Sequence, residues 1–409
     1  MEKRRVAPEI RFDGFFDDWE QRKLSDIKDV RDGTHDSPRY FQEGHPLVTS
    51  KNLTESGLDF VDVSFISDED FEAIIRRSKV DKGDIILGMI GTIGNPVIVD
   101  RDDFAIKNVA LIKVGGETPN SFLIQQLKSP VFEKYIRVEN AGNTQKFLGL
   151  SKIRDYVFLA PSVEEMKRIG AFFASLDQTI ALHQKKLDRL QCLKKAFLQL
   201  MFPQNDGETE PRLRFANFVS EWEQRKLKDL AEFSKGNGCS KSNLTDEGNP
   251  VILYGRLYTK YETVIESVDT FTIEKENTVI SQGNEVIVPA SGETSEDISR
   301  ASTVSKPGII LGGDLNIIRP SNEIDPVFLA LTISNGKQKK EISKRAQGKS
   351  VVHLHNSDLK EVNLLFPKKE EQTRIGDFFQ KIDHTIALHQ TKLEKLQSLK
   401  KAYLQKMFI

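Results

Sequence analysis

The chain has 409 residues, which is too long for one typical domain and suggests two or three. Its hydrophobic content of 38% and charged content of 29% are typical of a globular protein and exclude a largely disordered one. The formal net charge of -1 argues neither for nor against a nucleic-acid partner.

Short features of the sequence exclude further classes. No apolar run reaches the ~18 residues of a transmembrane helix, and the basic start MEKRR leads into no apolar signal segment. The two cysteines, Cys192 and Cys239, are too few for a disulfide framework or a metal site. Because Cys192 aligns with Ser398 in a repeated helix, we interpret it as a packing residue. A reducing cytoplasm is the expected location.

A short segment near the N-terminus occurs a second time in mid-chain. The stretch 19–24 (WEQRKL) returns unchanged at 222–227. Both tryptophans of the protein, Trp19 and Trp222, open these stretches. A large aromatic side chain at equivalent places predicts a core anchor where each half of the chain begins to fold.

Two inserts of similar length and different sequence follow these segments, at about 25–159 and 228–365. Apolar runs bounded by glycine turns predict buried strands at 84–87, 97–99, 109–112, 286–288, 309–311 and 316–318. Helix-like stretches come later, at 121–127 and 325–333. Each insert is predicted to be a mixed α+β domain with sparse helix.

A long helical stretch closes each half. Residues 169–202 return as 375–408 with about two-thirds of the positions identical. Apolar residues alternate at steps of four and three, which predicts a coiled-coil seam on a helix of roughly 50 Å. The central seam positions are Ile180, His183, Leu187, Leu190, Ile386, His389, Leu393 and Leu396.

The starts of these helices differ. Ser162 and Glu165 form a Ser-x-x-Glu capping box, whereas the second helix has Lys368 in place of the capping serine. Gly170 and Gly376 are candidate points for a bend one turn into each helix. The polar stretch after Phe202 is predicted to be a linker.

Two matching helices in one chain are expected to bury their seams against each other, in antiparallel pairing, because a pseudo-twofold axis then relates the equivalent halves. The predicted fold class is α+β: two mixed α/β recognition domains separated by an antiparallel coiled coil of two long helices. The predicted boundaries are 1–160 for the first flank and domain, 161–203 for the first helix, 204–213 for the linker, 214–366 for the second domain and 367–409 for the second helix.

Polar seam residues are expected to fix the register of the helices. His183 and His389 occupy one equivalent position, where a partner contact or a metal ligand is the alternative. The Lys-Lys pairs that precede Ala196 and Ala402 are predicted to be solvated or to snorkel.

The sequence lacks the common catalytic motifs. It has no phosphate-binding loop, no nucleophile elbow and no His-Glu-x-x-His zinc motif. His353 and His355 align with Phe147 and Gly149 in the first half, which argues against a catalytic or metal role. No catalytic residue and no metal ligand is predicted.

Loops rich in glycine, hydroxyl and amide groups are the remaining candidates for function. Asn and Gln suit adenine, Lys suits guanine or phosphate, and hydroxyls suit either. Ordinary turn chemistry uses the same residues and stays open as an explanation. The candidate DNA-binding residues are Thr34, His35, Lys51, Asn52, Thr92, Asn143, Gln145, Lys146, Ser240, Lys241, Tyr254, Ser291, Thr294, Lys349 and Ser350.

In this duplicated order the motifs resemble the specificity subunit of type I restriction–modification enzymes over essentially the whole chain. The resemblance rests on the repeated WEQRKL, on the helices with LxxLxxLKK that end in Met-Phe, and on shorter stretches in the domains. These are 51–53 (KNL), 91–94 (GTIG), 240–241 (SK) and 252–255 (ILYG).

The resemblance implies a DNA reader without catalytic activity or a cofactor of its own. Each domain would read one half of a split double-stranded target, while the helices set the spacing and bind two copies of a modification subunit. That subunit would methylate adenine N6 with S-adenosylmethionine, and restriction and translocation subunits would use ATP and Mg²⁺. A two-domain protein scaffold, or the recognition subunit of a related bipartite restriction system, is the alternative.

Overall fold

The computed structural model of the protein describes residues 6–55, 57–140, 147–348 and 351–409. The chain divides into two compact units. Unit 1 runs to Lys185 and includes Gln390–Ile409, and unit 2 is Lys186–His389. Each unit thus contains one insert together with a part of both long helices.

The first half of the chain carries strands β1 to β11 and helices α1 to α6. The strands are β1 (Glu20–Lys23), β2 (Val30–Asp32), β3 (His45–Val48), β4 (Leu53–Thr54), β5 (Gly57–Leu58), β6 (Ser64–Ile66), β7 (Ile85–Gly88), β8 (Gly94–Ile98), β9 (Ala105–Ile106), β10 (Val109–Ile112) and β11 (Val157–Ala160). The helices are α1 (Leu24–Ile27), α2 (Asp68–Ser78), α3 (Asn120–Lys128), α4 (Pro130–Glu139), α5 (Leu150–Arg154) and α6 (Val163–Leu200).

The second half carries strands β12 to β25 and helices α7 to α11. The strands are β12 (Glu223–Lys226), β13 (Ala231–Lys235), β14 (Leu244–Thr245), β15 (Asn249–Ile252), β16 (Val264–Ile265), β17 (Phe271–Thr272), β18 (Ile280–Gln282), β19 (Glu285–Pro289), β20 (Ser291–Gly292), β21 (Ser302–Val304), β22 (Pro307–Leu311), β23 (Leu315–Pro320), β24 (Val352–His353) and β25 (Asn363–Phe366). The helices are α7 (Arg256–Thr259), α8 (Pro326–Ser334), α9 (Gly336–Arg345), α10 (Asn356–Lys360) and α11 (Lys369–Lys406).

The two domains share one strand order. In unit 1 an antiparallel sheet has the order β2-β10-β7-β8, and in unit 2 the matching sheet is β13-β23-β19-β21 with β16 added at its edge. A second sheet holds a parallel pair in each domain, β3 with β9 and β15 with β22. A two-stranded sheet, β1 with β11 or β12 with β25, joins the start of each domain to its end.

The core of unit 1 includes the end of the second long helix. Trp19 is buried, and its ring meets Phe122 at 6.3 Å and Phe408 at 6.4 Å between centroids, both edge to face. Met407 lies in the same core. The predicted role of this tryptophan as a core anchor is confirmed, and part of its partner surface comes from the last residues of the chain.

The core of unit 2 repeats this arrangement with the end of the first long helix. Trp222 is buried and packs edge to face on Phe328 at 5.8 Å between ring centroids. Phe202 stacks on that same phenylalanine at 5.9 Å. Met201 and Phe202 therefore belong to the second domain's core, as the helix end of the other half belongs to the first.

The long helices run in opposite directions within unit 1. Phe172 of α6 meets Tyr403 of α11 edge to face at 5.0 Å, and Asp177, further along α6, pairs with Lys400 at 2.6 Å. Residue numbers therefore increase along α6 while those of the facing residues on α11 decrease, as in an antiparallel pair. Lys400 is therefore bound by the facing helix, whereas the neighbouring Lys401 is exposed, as predicted.

Unit 2 contains the equivalent contacts. Phe378 of α11 meets Phe197 of α6 at 4.9 Å between ring centroids, and Lys194 pairs with Asp383 at 2.5 Å. These contacts also place the two helices antiparallel. The predicted fold class, two mixed α/β domains with a pair of long helices, is confirmed.

The first turn of each long helix is held by an arginine of the preceding flank. The Ser162 hydroxyl accepts the Glu165 N–H at 3.4 Å, as a capping serine does, but the Glu165 carboxylate instead binds Arg11 at 2.9 and 2.7 Å. Arg214 binds Glu371 with the same two distances. The flank, rather than a reciprocal capping box, therefore fixes where each helix starts.

Helices α6 and α11 run without interruption through the two helix glycines, Gly170 and Gly376. Gly170 lets α3 approach closely, since a Cβ at this position would lie 2.4 Å from the Ser121 hydroxyl. At the equivalent position of the second helix, a Cβ on Gly376 would lie 3.3 Å from the Cβ of Val327 in α8. These glycines allow another helix to pack closely against each long helix.

Helix is less sparse in the domains than the sequence suggests. Charged or polar helices α2, α4 and α9 were not predicted, because their hydrophobic faces are short. Cys192 is exposed on α6, so its interpretation as a packing residue is wrong.

The stretch after α6 is an ordered turn rather than an open linker. The Glu208 carboxylate accepts the backbone N–H groups of Gln204 and Asn205, and these hydrogen bonds lower its pKa to about 2. Lys337 of α9 donates to the Glu208 carbonyl at 2.6 Å. The turn thereby attaches the end of the first helix to the second domain.

We expect the loss of one partner of the buried pair between Arg11 and Glu165 to destabilise unit 1. Its side chains are 12% and 1% exposed, and loss of one partner leaves the other charge buried, at a cost of about 3–5 kcal/mol. Arg11→Met should therefore lower the free energy of unfolding by about that amount in urea titrations followed by circular dichroism.

The double variant Arg11→Met with Glu165→Leu should regain most of this loss, because no unpaired charge remains. Arg22→Met is the matched control, since its pair with Glu20 is exposed and such pairs contribute roughly 0–1 kcal/mol. An equal loss in Arg11→Met and Arg22→Met would contradict the argument.

Candidate nucleic-acid interface

Three of the predicted loops of the first domain meet around Asn108, in the turn between β9 and β10. The Asn108 N–H donates to the Thr34 carbonyl at 3.1 Å, and the Ser50 hydroxyl donates to the Asn108 carbonyl at 3.4 Å. Gly88 lies beneath them, because a Cβ there would be 3.3 Å from the Ser50 hydroxyl and 2.2 Å from the Thr92 carbonyl. The loops after β2, β3 and β7 therefore form one surface.

His35 lies on this surface with a hydrogen-bond partner at each ring nitrogen. Its Nε2 lies 2.9 Å from a carboxylate oxygen of Asp32, and its Nδ1 lies 2.9 Å from the Asn108 side-chain oxygen. Arg77 of α2 binds the other Asp32 oxygen. The hydrogen bonds to Asn108 and then to Asp32 raise the pKa of His35 above its ordinary value, which favours a charged ring on this surface.

Lys107 and Asn108 were missed by the sequence reasoning. Lys107 is buried, and its ammonium group reaches Ser37 at 2.9 Å in the loop that carries His35. Asn108 has a φ of 55°, in the left-handed region that asparagine tolerates. The dipeptide Lys-Asn between two apolar strands was the available signal for a tight turn.

The predicted residues of the turn after β3 have unlike surroundings. Asn52 is buried, and its amide nitrogen donates to the carbonyls of Asp59 and Asp62 at 3.1 and 2.9 Å. Its side-chain oxygen accepts the Thr49 N–H at 3.0 Å. Lys51 is exposed and lies 3.3 Å from the Asp62 carboxylate. The lysine, and not the asparagine, therefore faces outward.

The remaining first-domain candidates lie at the edge of this surface or outside the described residues. Thr92 is exposed in the loop after β7. Asn143, Gln145 and Lys146 fall outside the described residues. Phe147, which follows them, pairs with Ile90 of the Thr92 loop.

The second domain brings its own loops together at the matching end. The Tyr258 hydroxyl donates to the Ser291 carbonyl at 2.8 Å, and the Ser291 hydroxyl lies 3.2 Å from His353 Nδ1. Tyr254 is partly exposed and packs edge to face near Tyr258 at 6.4 Å between ring centroids. His353 and Tyr258 belong to this surface, although the sequence reasoning did not select them.

The other second-domain candidates are largely exposed. Ser240 caps a short 3-10 turn that contains the exposed Lys241, with the Asn243 side chain accepting the Ser240 N–H at 3.0 Å. Thr294 is exposed and caps the turn at Asp297. The predicted residues Lys349 and Ser350 lie outside the described residues.

The loops after β2 and β13, together with the turns before β10 and β23, have equivalent backbones in the two domains. We call this shared backbone the frame, and it carries different side chains in each domain. Gly33 and Gly236 begin equivalent loops: a Cβ on Gly33 would meet the Ile106 carbonyl at the end of β9, and a Cβ on Gly236 would meet the Gly312 carbonyl directly after β22. Asn108 and Asp314 both have a positive φ, 55° and 58°, before equivalent strands. Two residues beyond the glycine, His35 of the first domain corresponds to a glycine, Gly238, of the second.

The helix pair provides a different kind of surface. Leu187 and Leu393 of the predicted seam are buried. The other predicted seam residues are half-buried, namely Ile180, His183, Leu190, Ile386, His389 and Leu396. Four leucines are instead mostly exposed at equivalent positions of the repeat, with 61% for Leu182, 60% for Leu388, 47% for Leu193 and 45% for Leu399.

The described part of the chain has neither a metal-binding cluster nor a membrane-spanning helix. Within residues 6–55, 57–140, 147–348 and 351–409, no three His, Cys, Asp or Glu side chains are grouped so as to hold a metal ion. Among the same residues, no helix combines the length and apolar character needed to cross a membrane.

Comparison with protein families gives a match to both halves of the chain. The model of the type I restriction modification DNA specificity domain matches residues 16–191 and again residues 219–398. Each match contains one flank, one insert and most of one long helix.

Curated relatives are similar over part of the chain. A putative type I restriction enzyme MjaX specificity subunit of Methanocaldococcus jannaschii is 27% identical over 229 residues, which is 52% of this chain and 50% of the relative. The EcoBI specificity subunit of Escherichia coli is 26% identical over 169 residues, 39% of this chain and 35% of the relative. The alignments thus span half or less of the length of these relatives.

Solved structures share the fold over almost the whole chain. The S subunit of a type I restriction-modification system from M. genitalium superposes with a TM-score of 0.65 at 14% identity, and covers 98% of this chain and 99% of that one. A chain from a study of assembly and conformational transition of the type I R-M system gives a TM-score of 0.50 at 16% identity, covering 94% and 96%.

We expect the frame glycines to tolerate no side chain. A Cβ on Gly33 would lie 2.4 Å from the Ile106 carbonyl, and one on Gly236 would lie 2.0 Å from the Gly312 carbonyl. Replacement of either by alanine should destabilise its own unit by about 1–3 kcal/mol, measured by urea unfolding. Gly255→Ala is the control, because no atom lies within 4 Å of the added Cβ. Equal stability of all three variants would contradict this packing argument.

Proposed function

Because the chain belongs to the family of type I restriction modification DNA specificity domains, we propose that it is the DNA-reading subunit of a type I restriction–modification complex. Each domain reads one half of a bipartite double-stranded target. The observation that carries the proposal is the recurrence of one frame with unlike loops at the same end of both domains. A shared frame positions the loops, and unlike side chains select unlike bases.

The side chains of the first loop surface suit base or phosphate contacts. Lys51 is exposed and suits phosphate or guanine, and Thr92 offers a hydroxyl. The second surface offers Lys241 and the aromatic ring of Tyr254 instead. These sets differ in shape, so the two half-sites are expected to differ in sequence.

The helices set the distance between the half-sites. Each helix of 38 residues is about 57 Å long, a length near that of seventeen base pairs at ~3.4 Å each. The ends of both helices belong to domain cores through Phe202 and Phe408. A domain whose core includes a helix end keeps a fixed relation to that end, as a spacer requires.

The exposed leucines of the helices are the proposed docking points for partner subunits. Unit 1 carries Leu182 and Leu399, and unit 2 carries the equivalent Leu388 and Leu193. Because the same exposed positions occur twice, two copies of one partner suit them. We propose that this partner is the DNA methyltransferase subunit, and that restriction and translocation subunits join the complex in the cytoplasm.

The chemistry of the complex is assigned to these partners. The methyltransferase subunits would bind S-adenosylmethionine and modify adenine N6, and the restriction subunits would bind ATP and Mg²⁺. This chain would contribute base recognition and spacing without catalysis. A coiled-coil protein scaffold is the alternative class; it predicts partner binding without any dependence of the complex on DNA sequence.

We expect domain exchange to alter one half-site only. Replacing residues 25–159 with the corresponding insert of another specificity subunit should change one half of the methylated sequence, because the frame ends are shared. Methylation-site sequencing of DNA from cells that carry the chain with its partner subunits measures both halves. The matched control replaces residues 228–365, which should change the other half. A change of both halves in either exchange would refute the modular assignment.

We expect the leucine pair to be needed for subunit docking. Leu182→Asp combined with Leu388→Asp should weaken binding of the methyltransferase subunit by about tenfold or more, as loss of a buried apolar contact does. Isothermal titration calorimetry on the intact chain measures the affinity. Val61→Asp is the control, because Val61 is 95% exposed on the first domain. Unchanged affinity in the double variant would place the docking surface elsewhere.

A further inference from the structure

His35 of the first domain has an oxygen atom at hydrogen-bond distance from each ring nitrogen. Nε2 faces the Asp32 carboxylate at 2.9 Å, and Nδ1 faces the side-chain oxygen of Asn108 at 2.9 Å. Carboxylate and carbonyl oxygens only accept, so both ring nitrogens must carry protons for both bonds to form. This arrangement is that of an imidazolium.

Charged groups around His35 lie on its own loop, on β2, on α2 and in the turn before β10. Asp32 lies at the end of β2, and Arg77 of α2 binds its second oxygen. Lys107 lies in the turn before β10 and binds Ser37, and Asp36 follows in the loop. Burial disfavours a charge on Asp32, but the hydrogen bonds from His35 and Arg77 outweigh it, and the pKa of Asp32 is lowered. A carboxylate thus faces the ring at neutral pH.

The side chain of Asn108 depends on this ring. Its backbone is fixed by the N–H bond to Thr34 and by the bond from Ser50 to its carbonyl, so only the carboxamide can turn. While its oxygen accepts from His35, its NH₂ group points away from the ring, and it makes no hydrogen bond to the described residues of the protein. Asn108 is half-buried, so this group is at the surface.

A neutral His35 reverses the carboxamide. With its remaining proton on Nε2, directed at Asp32, the ring presents Nδ1 as an acceptor. The NH₂ group of Asn108 then satisfies Nδ1, and the oxygen turns outward. An outward NH₂ group suits an acceptor such as O6 of guanine or O4 of thymine, and an outward oxygen suits the amino group of adenine or cytosine.

We propose that His35 is a positioning residue whose protonation decides whether Asn108 offers a donor or an acceptor to one base of the first half-site. This inference rests on the proposed function and specifies how one surface performs it. The second domain has Gly238 where the first has His35, and Lys235 where the first has Asp32. Recognition of the second half-site therefore lacks this dependence on pH.

The coupling between His35 and Asn108 is tested first on the intact chain without DNA. Long-range proton–nitrogen NMR spectra of the histidine rings, assigned with His35→Gln, should show His35 titrating above the ordinary value of about 6.5. The Asn108 NH₂ resonances, assigned with Asn108→Asp, should shift with the same midpoint. Asp32→Asn should lower that midpoint. A midpoint at or below the ordinary value, or an Asn108 signal that does not follow His35, would overturn the inference.

The consequence for DNA is tested on the complex with its methyltransferase subunits. DNA-binding affinities are compared at pH 6.0 and 8.5. The DNAs are the target sequence identified by methylation-site sequencing and every single-base change in either half of it. One position of the first half-site should change its base preference by about tenfold, the equivalent of one hydrogen bond. His35→Gln should remove the change, and His45→Gln, at an exposed pair with Asp68, should retain it.

The outcomes separate the inference from the function on which it rests. A His35→Gln complex with the wild-type pH profile would overturn the inference and leave sequence-specific binding intact. A complex that binds DNA without any sequence preference at either pH would refute the proposed function, and the use of Asn108 with it. In that case the NMR titration still reports whether His35 and Asn108 are coupled in the protein.

Discussion

The structure depends on how each domain encloses the end of a helix that begins in the other half of the sequence. Phe408 lies against Trp19 in unit 1, and Phe202 lies in the core with Trp222 in unit 2. Burial of side chains of this size contributes roughly 1.5–3 kcal/mol each. A helix that ended in solvent could fray, whereas these ends are part of a domain core. The duplicated Met-Phe and Trp residues are therefore one structural device used twice.

The polar contacts at the ends of the helices fix how the helix ends are oriented against the domains. Buried pairs such as Arg11 with Glu165 contribute little net stability compared with apolar side chains, but they allow few geometries because the arginine binds both carboxylate oxygens. Glu208 orders the turn between the first helix and the second domain in a similar way. Apolar burial thus supplies most of the stability, and the ion pairs define the orientation of the helix starts.

The sequence predicted the features that depend on local pattern. Heptad spacing located α6 and α11 within a few residues, and short apolar runs located β7, β10, β19 and β23, because periodicity is a property of neighbouring residues. Contacts between distant segments were not predictable in this way. Asn52 is of a residue type that can read bases, yet its side-chain amide donates its hydrogen bonds to carbonyls of the following loop. Asn108 was missed because its importance arises from three loops that meet only in the folded domain.

The same distinction explains how one frame can serve two recognition tasks. Gly33 and Gly236 leave no room for a Cβ, so the backbone there is fixed by the parallel strand beside it. The residues that follow Gly33 in the first domain, Thr34 to Asp36, are half-buried or exposed, so they can change with little effect on the core. His35 and Gly238 occupy the same place on this frame, one able to carry a charge and the other without a side chain. A fixed backbone at Gly33 and exposed side chains directly after it are what a domain needs if its specificity is to vary while its fold persists.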